Sequence, residues 1–280
     1  SLTLGYTRMW ATEHIDYQGN GLSPGDMLWN NIGLDMSYGV SDRFALRMGV
    51  PYVISCYDGA APHPTIGGIS AEDDGDWHSR FQDVATELRF RATTGSLALT
   101  PFAGLVVPTH SYPTYGHGSA GRGLVEGRFG LAAGRLLDPV LPDAYLQVRY
   151  AYVVPEKVLG ISHNASQLGV DLGYLLGSSF TVRALGMWQW THGGWRAPID
   201  FPARTSIPFT HHDQVQRTNY FRLGGSVAYS LTSSIDVNVY GYSTIRAESD
   251  INMKSLGIAF TYSASPAQLI RKKRSAEAQQ

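Results

Sequence analysis

Glu87 and Arg89, and again Glu126 and Arg128, stand two residues apart, a spacing that puts both side chains of each pair on one face of an extended chain. A carboxylate beside a guanidinium forms charge-assisted hydrogen bonds that can lock a wall or select the ions passing it. The same period-two positions along the chain hold Asp35, Arg47, Asp83, Glu87, Arg89, Arg91, Glu126, Arg128, Arg149, Asp171, Arg183, Arg222 and Asp236: seven arginines, six acids and no lysine. A freely solvated face usually carries lysine, whereas an enclosed one favours arginine, whose planar fork matches a carboxylate. The charges are therefore expected to point into a lumen, with Asp83, Glu87, Arg89, Glu126 and Arg128 as its constriction.

Other reactive side chains lie elsewhere. All nine histidines, His14, His63, His78, His110, His117, His163, His192, His211 and His212, fall in or beside long connections. They are read as solvated, with a surface zinc or copper site as the sharper alternative. No HxxxH or HExxH spacing occurs, and no metal site is assigned. The acidic run Glu72, Asp73, Asp74 and Asp76 lacks EF-hand spacing and is read as a solvated loop. Ser119 near His117 and Ser166 near His163 could form a hydrolase pair, but neither has an orienting carboxylate in its own strand, so no catalytic residues are assigned. The single cysteine, Cys56, excludes an internal disulfide.

The elements that would position the charges are strands. Charged positions alternate with apolar ones over about twelve segments: 2–10, 27–40, 43–54, 80–92, 97–108, 123–136, 144–154, 166–176, 179–191, 217–231, 235–246 and 252–263. In the hairpin over 81–108, Phe81, Asp83, Ala85, Glu87, Arg89 and Arg91 share one face and Gln82, Val84, Thr86, Leu88 and Phe90 the other. The return strand puts Leu99, Pro101, Ala103, Leu105 and Val107 outward, and Thr100, Phe102, Gly104 and Val106 inward. Connections alternate between short (41–43, 93–96, 137–143, 177–178, 232–234) and long (11–26, 55–79, 109–122, 155–165, 192–216), with a short 247–251 last. Transmembrane β-barrels have tight periplasmic turns and long outer loops.

Aromatics end the apolar stripes as two girdles: Tyr38, Phe44, Phe90, Tyr174, Phe180, Tyr229 and Tyr262 toward the short turns, and Tyr52, Tyr150, Tyr152, Trp188 and Trp190 toward the long loops. Turning an arginine to lipid near the bilayer midplane costs about 2–4 kcal/mol. Inverting all seven would exceed the roughly 5–15 kcal/mol stability of an ordinary fold, so the register is fixed if the chain spans a bilayer.

Composition fits this reading. The 280 residues are 43% hydrophobic and 16% charged, with net charge −1 and 31 glycines. The mean hydropathy of −0.14 looks soluble, but alternation hides apolar stripes in the average. Near-neutral charge gives no pull toward nucleic acid. No charged-then-apolar leader precedes Ser1, so export implies a numbering that begins after cleavage or trimming.

The hairpin 83–108 with its Pro-Phe-x-Gly-x-x-x-Pro-Thr segment from Pro101, the stretch from Gly121 to Arg135 (GRGLVEGRFGLAAGR) and that from Ala144 to Val153 together resemble the outer-membrane transporters of the phenol-degradation meta-pathway family. The resemblance covers roughly a quarter of the chain. It implies an outer-membrane barrel and passage of aromatic or other hydrophobic molecules, and supplies no catalytic residues.

The expectation is an all-β chain: a single antiparallel up-and-down transmembrane β-barrel of about twelve strands over 1–263 in the bacterial outer membrane, followed by a periplasmic tail, 264–280, with a basic run from Arg271 to Arg274. No cofactor is expected. The expected surroundings are outer-membrane lipid and lipopolysaccharide and a small hydrophobic solute, with no nucleic acid; a homo-oligomer and an extracellular partner held by the loops stay open. Two functions stay open as well: a passive channel, and a closed barrel acting as a scaffold or surface-interaction protein.

Overall fold

Period-two alternation becomes strands throughout. The structure, a computed structural model, describes residues 1–264 apart from Pro24 and Ala61; the expected basic tail lies outside the described residues. The strands are β1 (Leu2–Ile15), β2 (Gly21–Leu22), β3 (Gly25–Gly39), β4 (Phe44–Gly59), β5 (His78–Phe81), β6 (Asp83–Phe90), β7 (Ala98–Pro108), β8 (Glu126–Leu136), β9 (Ala144–Pro155), β10 (His163–Leu176), β11 (Phe180–Gly193), β12 (Asn219–Thr232), β13 (Ile235–Glu248) and β14 (Asp250–Tyr262). A 3-10 turn, Ile207–His211, and the one-turn helix α1, His212–Val215, interrupt the connection between β11 and β12.

Twelve long strands pair antiparallel in chain order, and β14 closes the sheet on β1 from Leu2 opposite Tyr262 to Ile15 opposite Asp250. Closure leaves no edge among the twelve long strands, so each of them finds backbone partners on both sides, as a bilayer demands. The outer surface is an apolar band in which Leu131, Val227 and Leu256 are 42%, 47% and 57% exposed. A water-soluble barrel would bury such side chains; exposed in a continuous band, they are a lipid-facing surface. Aromatic pairs mark its two rims. Phe44 with Phe90 (5.0 Å) and Phe180 with Tyr229 (4.6 Å) stand near the short turns, and Trp188 stacks on Phe221 (4.4 Å) near the long loops.

Several local departures matter. Strands β10 and β11 run on to His163 and Gly193, so the connection 156–162 is no longer than the turns 91–97 and 137–143. Length asymmetry therefore rests on 60–77, 109–125 and 194–218. The expected strand 80–92 is split at Gln82. Its backbone N–H donates to the Pro51 carbonyl (3.0 Å), and the ladder slips by one residue between Gly49 opposite Ala85 and Tyr52 opposite Phe81. Such a bulge exchanges the faces. Phe81 turns outward against Tyr52, not inward with Asp83, and the Gln82 amide turns inward to the Ala120 carbonyl (2.8 Å). Arg91 lies beyond β6 in the turn, where its guanidinium holds the Thr93 carbonyl (3.2 Å).

Arg8 and Lys254 lie on the outward face near the long loops. Arg8 donates to Asn30 (2.9 Å) and stands over the Trp77 ring, and Lys254 lies opposite Trp10. Both have long apolar stems that let the charge reach the interface.

Candidate functional site

Small inward residues decide which charges can meet. Glu87 on β6 lies opposite Gly104 of β7, and Gly130 and Ala132 on β8 leave the wall beyond it bare. A Cβ at Gly130 would sit 2.0 Å from the Tyr150 carbonyl oxygen and 2.8 Å from the Phe102 ring. Across this gap Arg149 reaches from β9 to Glu87, donating to both carboxylate oxygens at 3.2 and 2.5 Å, with its guanidinium 3.7 Å above the Phe102 ring. Arg89 donates to the same carboxylate (2.6 Å). One carboxylate thus holds two guanidiniums, one of them stacked on an aromatic face.

A second arrangement lies nearer the long loops. Glu126, buried, accepts from Arg122 and from Arg128 (2.7 Å), and Asp83 accepts from the Tyr112 hydroxyl (2.5 Å). Of the five residues expected to form one constriction, Glu87 and Arg89 therefore belong to one set, Glu126 and Arg128 to another, and Asp83 is bonded to Tyr112. Elsewhere on the wall, Asp171 lies 3.6 Å from Arg183, which also donates to Ser226 and Asn238 (both 2.7 Å). Asp35 takes Arg47 (2.7 Å) and Asp236 takes the Ser230 hydroxyl (2.6 Å) near the short-turn rim. Arg222 pairs with Asp250 (2.8 Å) and stacks over Tyr220 (3.8 Å). Arg122, Tyr112 and Asp250 were not among the expected site residues, because each lies in a connection or at a strand end where alternation carries no signal.

In the short-turn half, a cavity of about 600 Å³ is lined by Arg89, Arg149, Asp171 and Arg183 together with Phe102, Leu185, Met187, Tyr240 and Tyr242. The tyrosines lie across glycines of neighbouring strands. A Cβ at Gly257 would fall 2.5 Å from the Tyr240 ring, and one at Gly224 2.6 Å from the Tyr242 ring. Glycine there lets each ring lie along the wall instead of crossing the lumen.

In the other half, the long loops fold into the mouth. Segment 116–122 is held by inward residues of the barrel: Ser55 donates to the Gly118 carbonyl (2.6 Å), Gln82 to that of Ala120, and the Trp29 indole approaches that of Ser119 (3.4 Å). Gln214 of α1 donates to the Arg122 carbonyl (2.8 Å), and Asp213 accepts the Gly116 N–H (3.0 Å). Ile66, Tyr115 and Phe209, one from each of three loops, form a small apolar core beside Phe201. Tyr115, Phe201 and Phe209 pack together over the mouth, whereas Trp77 is exposed.

The acidic run is only half solvated, contrary to expectation. Glu72 and Asp73 are buried, the first paired with Arg80 and the second with His63, because the loop turns them beneath its own backbone. Burial raises the Glu72 carboxyl above its ordinary range against the opposing pull of Arg80 and His78. Ser166 bonds the His192 ring (2.9 Å), not His163.

His117 sits among His14 of β1, Tyr57 of β4, His63 and Asp73 of the loop 60–77, and His212 and Asp213 of α1. Burial holds its pKa below the ordinary histidine value; Asp213 and Asp73 oppose this, while His63 and His212 add to it. The unfolded chain therefore binds the proton first, and the stability this residue contributes is present above about pH 6.5 and is lost as the pH falls. Acidification from pH 7.5 to 5 should loosen the mouth loops. Limited proteolysis is expected to show faster cleavage within 109–125 while the β-sheet circular dichroism stays constant; unchanged cleavage would remove His117 from the loop packing.

A closed antiparallel barrel with an apolar belt outside and ion pairs within is an outer-membrane β-barrel. Comparison with solved structures agrees on the fold. The chain is similar to the COG4313 outer membrane channel from Pseudomonas putida F1, at 12% identity over 93% of this chain and 94% of that one, with a TM-score of 0.66. It is similar also to the NanC porin, at 11% identity over 94% and 100% of the two chains, with a TM-score of 0.57. No protein-family model and no curated protein matches the chain.

Proposed function

We propose that the protein is a passive outer-membrane channel for small hydrophobic or aromatic molecules. The observation that carries this reading is the cavity of about 600 Å³ inside the barrel, whose wall sets aromatic and aliphatic side chains beside paired charges. Its volume falls in the range of about 300–1,000 Å³ typical of small-molecule sites. Tyr240 and Tyr242 offer ring faces, and Arg89, Arg149 and Arg183 offer donors to a polar group on the same solute. The two similar barrels are described as a channel and a porin, which supports passage through this lumen. The resemblance to the phenol-degradation meta-pathway transporters supports aromatic compounds as the class carried. In this reading the apolar belt faces lipid and lipopolysaccharide, and Glu87 and Glu126 with their arginines set the size and charge of what passes.

A second reading, a closed barrel presenting its loops to a partner, is favoured by the hydrogen bonds that hold segment 116–122 in the mouth. Liposome swelling separates the two. The channel reading expects solute-dependent swelling that falls with solute size and rises when 116–122 is replaced by a short Gly-Ser linker. No swelling by either protein would favour the closed barrel.

A further inference from the structure

Two imidazoles from different loops face each other through their Nε2 atoms. The His212 Nδ1 lies 2.7 Å from the Phe209 carbonyl oxygen, and the His63 Nδ1 lies against the Asp73 carboxylate. Both partners only accept, so each ring carries a hydrogen on Nδ1, and in the neutral form its lone pair is on Nε2. The two Nε2 atoms are 3.2 Å apart. Two lone pairs at that distance repel unless a proton or a metal ion lies between them.

The third donor is Asp213, whose Oδ1 is 3.1 Å from the His212 Nε2 while Oδ2 is occupied by the Gly116 N–H. The donors of His63, His212 and Asp213 all lie within 4.8 Å of one another. Metal–nitrogen bonds of about 2.0–2.1 Å in a tetrahedron imply ligand separations of about 3.3 Å, close to the two distances above. The outer hydrogen bonds also match: a ligating histidine ordinarily gives its other N–H to a carboxylate or a backbone carbonyl. The side chains are enclosed, with His63 and Asp73 6% and 2% exposed.

We propose that His63, His212 and Asp213 bind a divalent first-row transition-metal ion, with Asp73 and the Phe209 carbonyl fixing the two rings. The donor set of two imidazoles and one carboxylate suits zinc and its neighbours in that row, not calcium or magnesium. His63 and His212 also line a cavity of about 220 Å³ with His14, His117, Phe201 and Arg204, from which water or a small anion reaches the remaining coordination position. The ion joins the loop 60–77 to the loop 194–218 across the mouth. Its binding is independent of whether the barrel conducts.

The test is calorimetric titration of the chelator-treated, detergent-folded full chain with Zn²⁺, followed by Co²⁺ absorption. One ion per chain is expected, at a Kd below about 1 µM, with d–d bands of a low-symmetry nitrogen and oxygen site. His63→Gln with His212→Gln should abolish binding, and Asp73→Asn should weaken it by about 10–100-fold. Heat-modifiable electrophoretic migration reports that each variant retains the barrel. Absence of saturable binding, or equal binding by the double variant, would overturn the assignment.

Discussion

Glu87→Ala should lower the stability of the folded barrel by about 2–3 kcal/mol and shift its ion selectivity toward anions. The carboxylate holds Arg89 and Arg149 together, and its removal leaves two guanidiniums side by side on one wall. Breaking a fully buried pair costs about 3–5 kcal/mol. The arginines are about one-third exposed, so lumen water screens part of that loss and the smaller figure applies. Arg149 keeps its place over Phe102, which confines the damage to the charge balance. The double variant Glu87→Ala with Arg149→Ala should recover part of the stability, since one of the stranded charges is gone. Urea unfolding in lipid measures the first effect and the reversal potential in a planar bilayer the second. Unchanged values in both would show that Glu87 neither braces the wall nor sets its charge.

Leu131→Arg should cost about 2–4 kcal/mol, the range for a cation turned to lipid near the midplane. Leu131 is exposed on the outer face halfway along β8, between Pro101 of β7 and Tyr150 of β9. Thr100→Arg is the contrasting variant, because that side chain lines the cavity and a longer cation there enters a polar lumen. The first is expected to shift the urea midpoint and impair folding into vesicles, and the second to leave both within about 0.5 kcal/mol of the parent. Equal effects of the two would mean that the inside and outside of the barrel are wrongly assigned.

How far the chain could be read in advance differs between walls and mouth. The twelve strands and their inward charges follow from alternation because the pleat is local: each residue's face is set by its neighbours two positions away. Where a bulge intervenes, that logic fails by one step, as at Gln82, where Phe81 and Asp83 end on opposite faces. A second register shift, between Phe221 and Arg222, carries Arg246 round to face Phe221. The short pairs Glu87 with Arg89 and Glu126 with Arg128 were visible at spacing two. The reach of Arg149 across two strands to Glu87 was not, because it depends on Gly104, Gly130 and Ala132 being adjacent only once the sheet is closed.

The loop residues show the limit most clearly. Nine histidines in connections look alike in a sequence, and reading them as solvated suits exposed ones such as His110. It fails for His212, 2% exposed, and for His63, because Tyr115 and Phe209 draw three loops into one apolar core and carry those rings with them. Sequence alone determined which face of each regular strand meets hydrocarbon and which meets the lumen, since a period of two under a bilayer's penalty for charge admits one register between bulges. Only the tertiary structure decided which acid holds which arginine and which imidazole nitrogen keeps its lone pair. Those choices are made by atoms far apart in the chain, after the barrel has closed and its loops have turned inward.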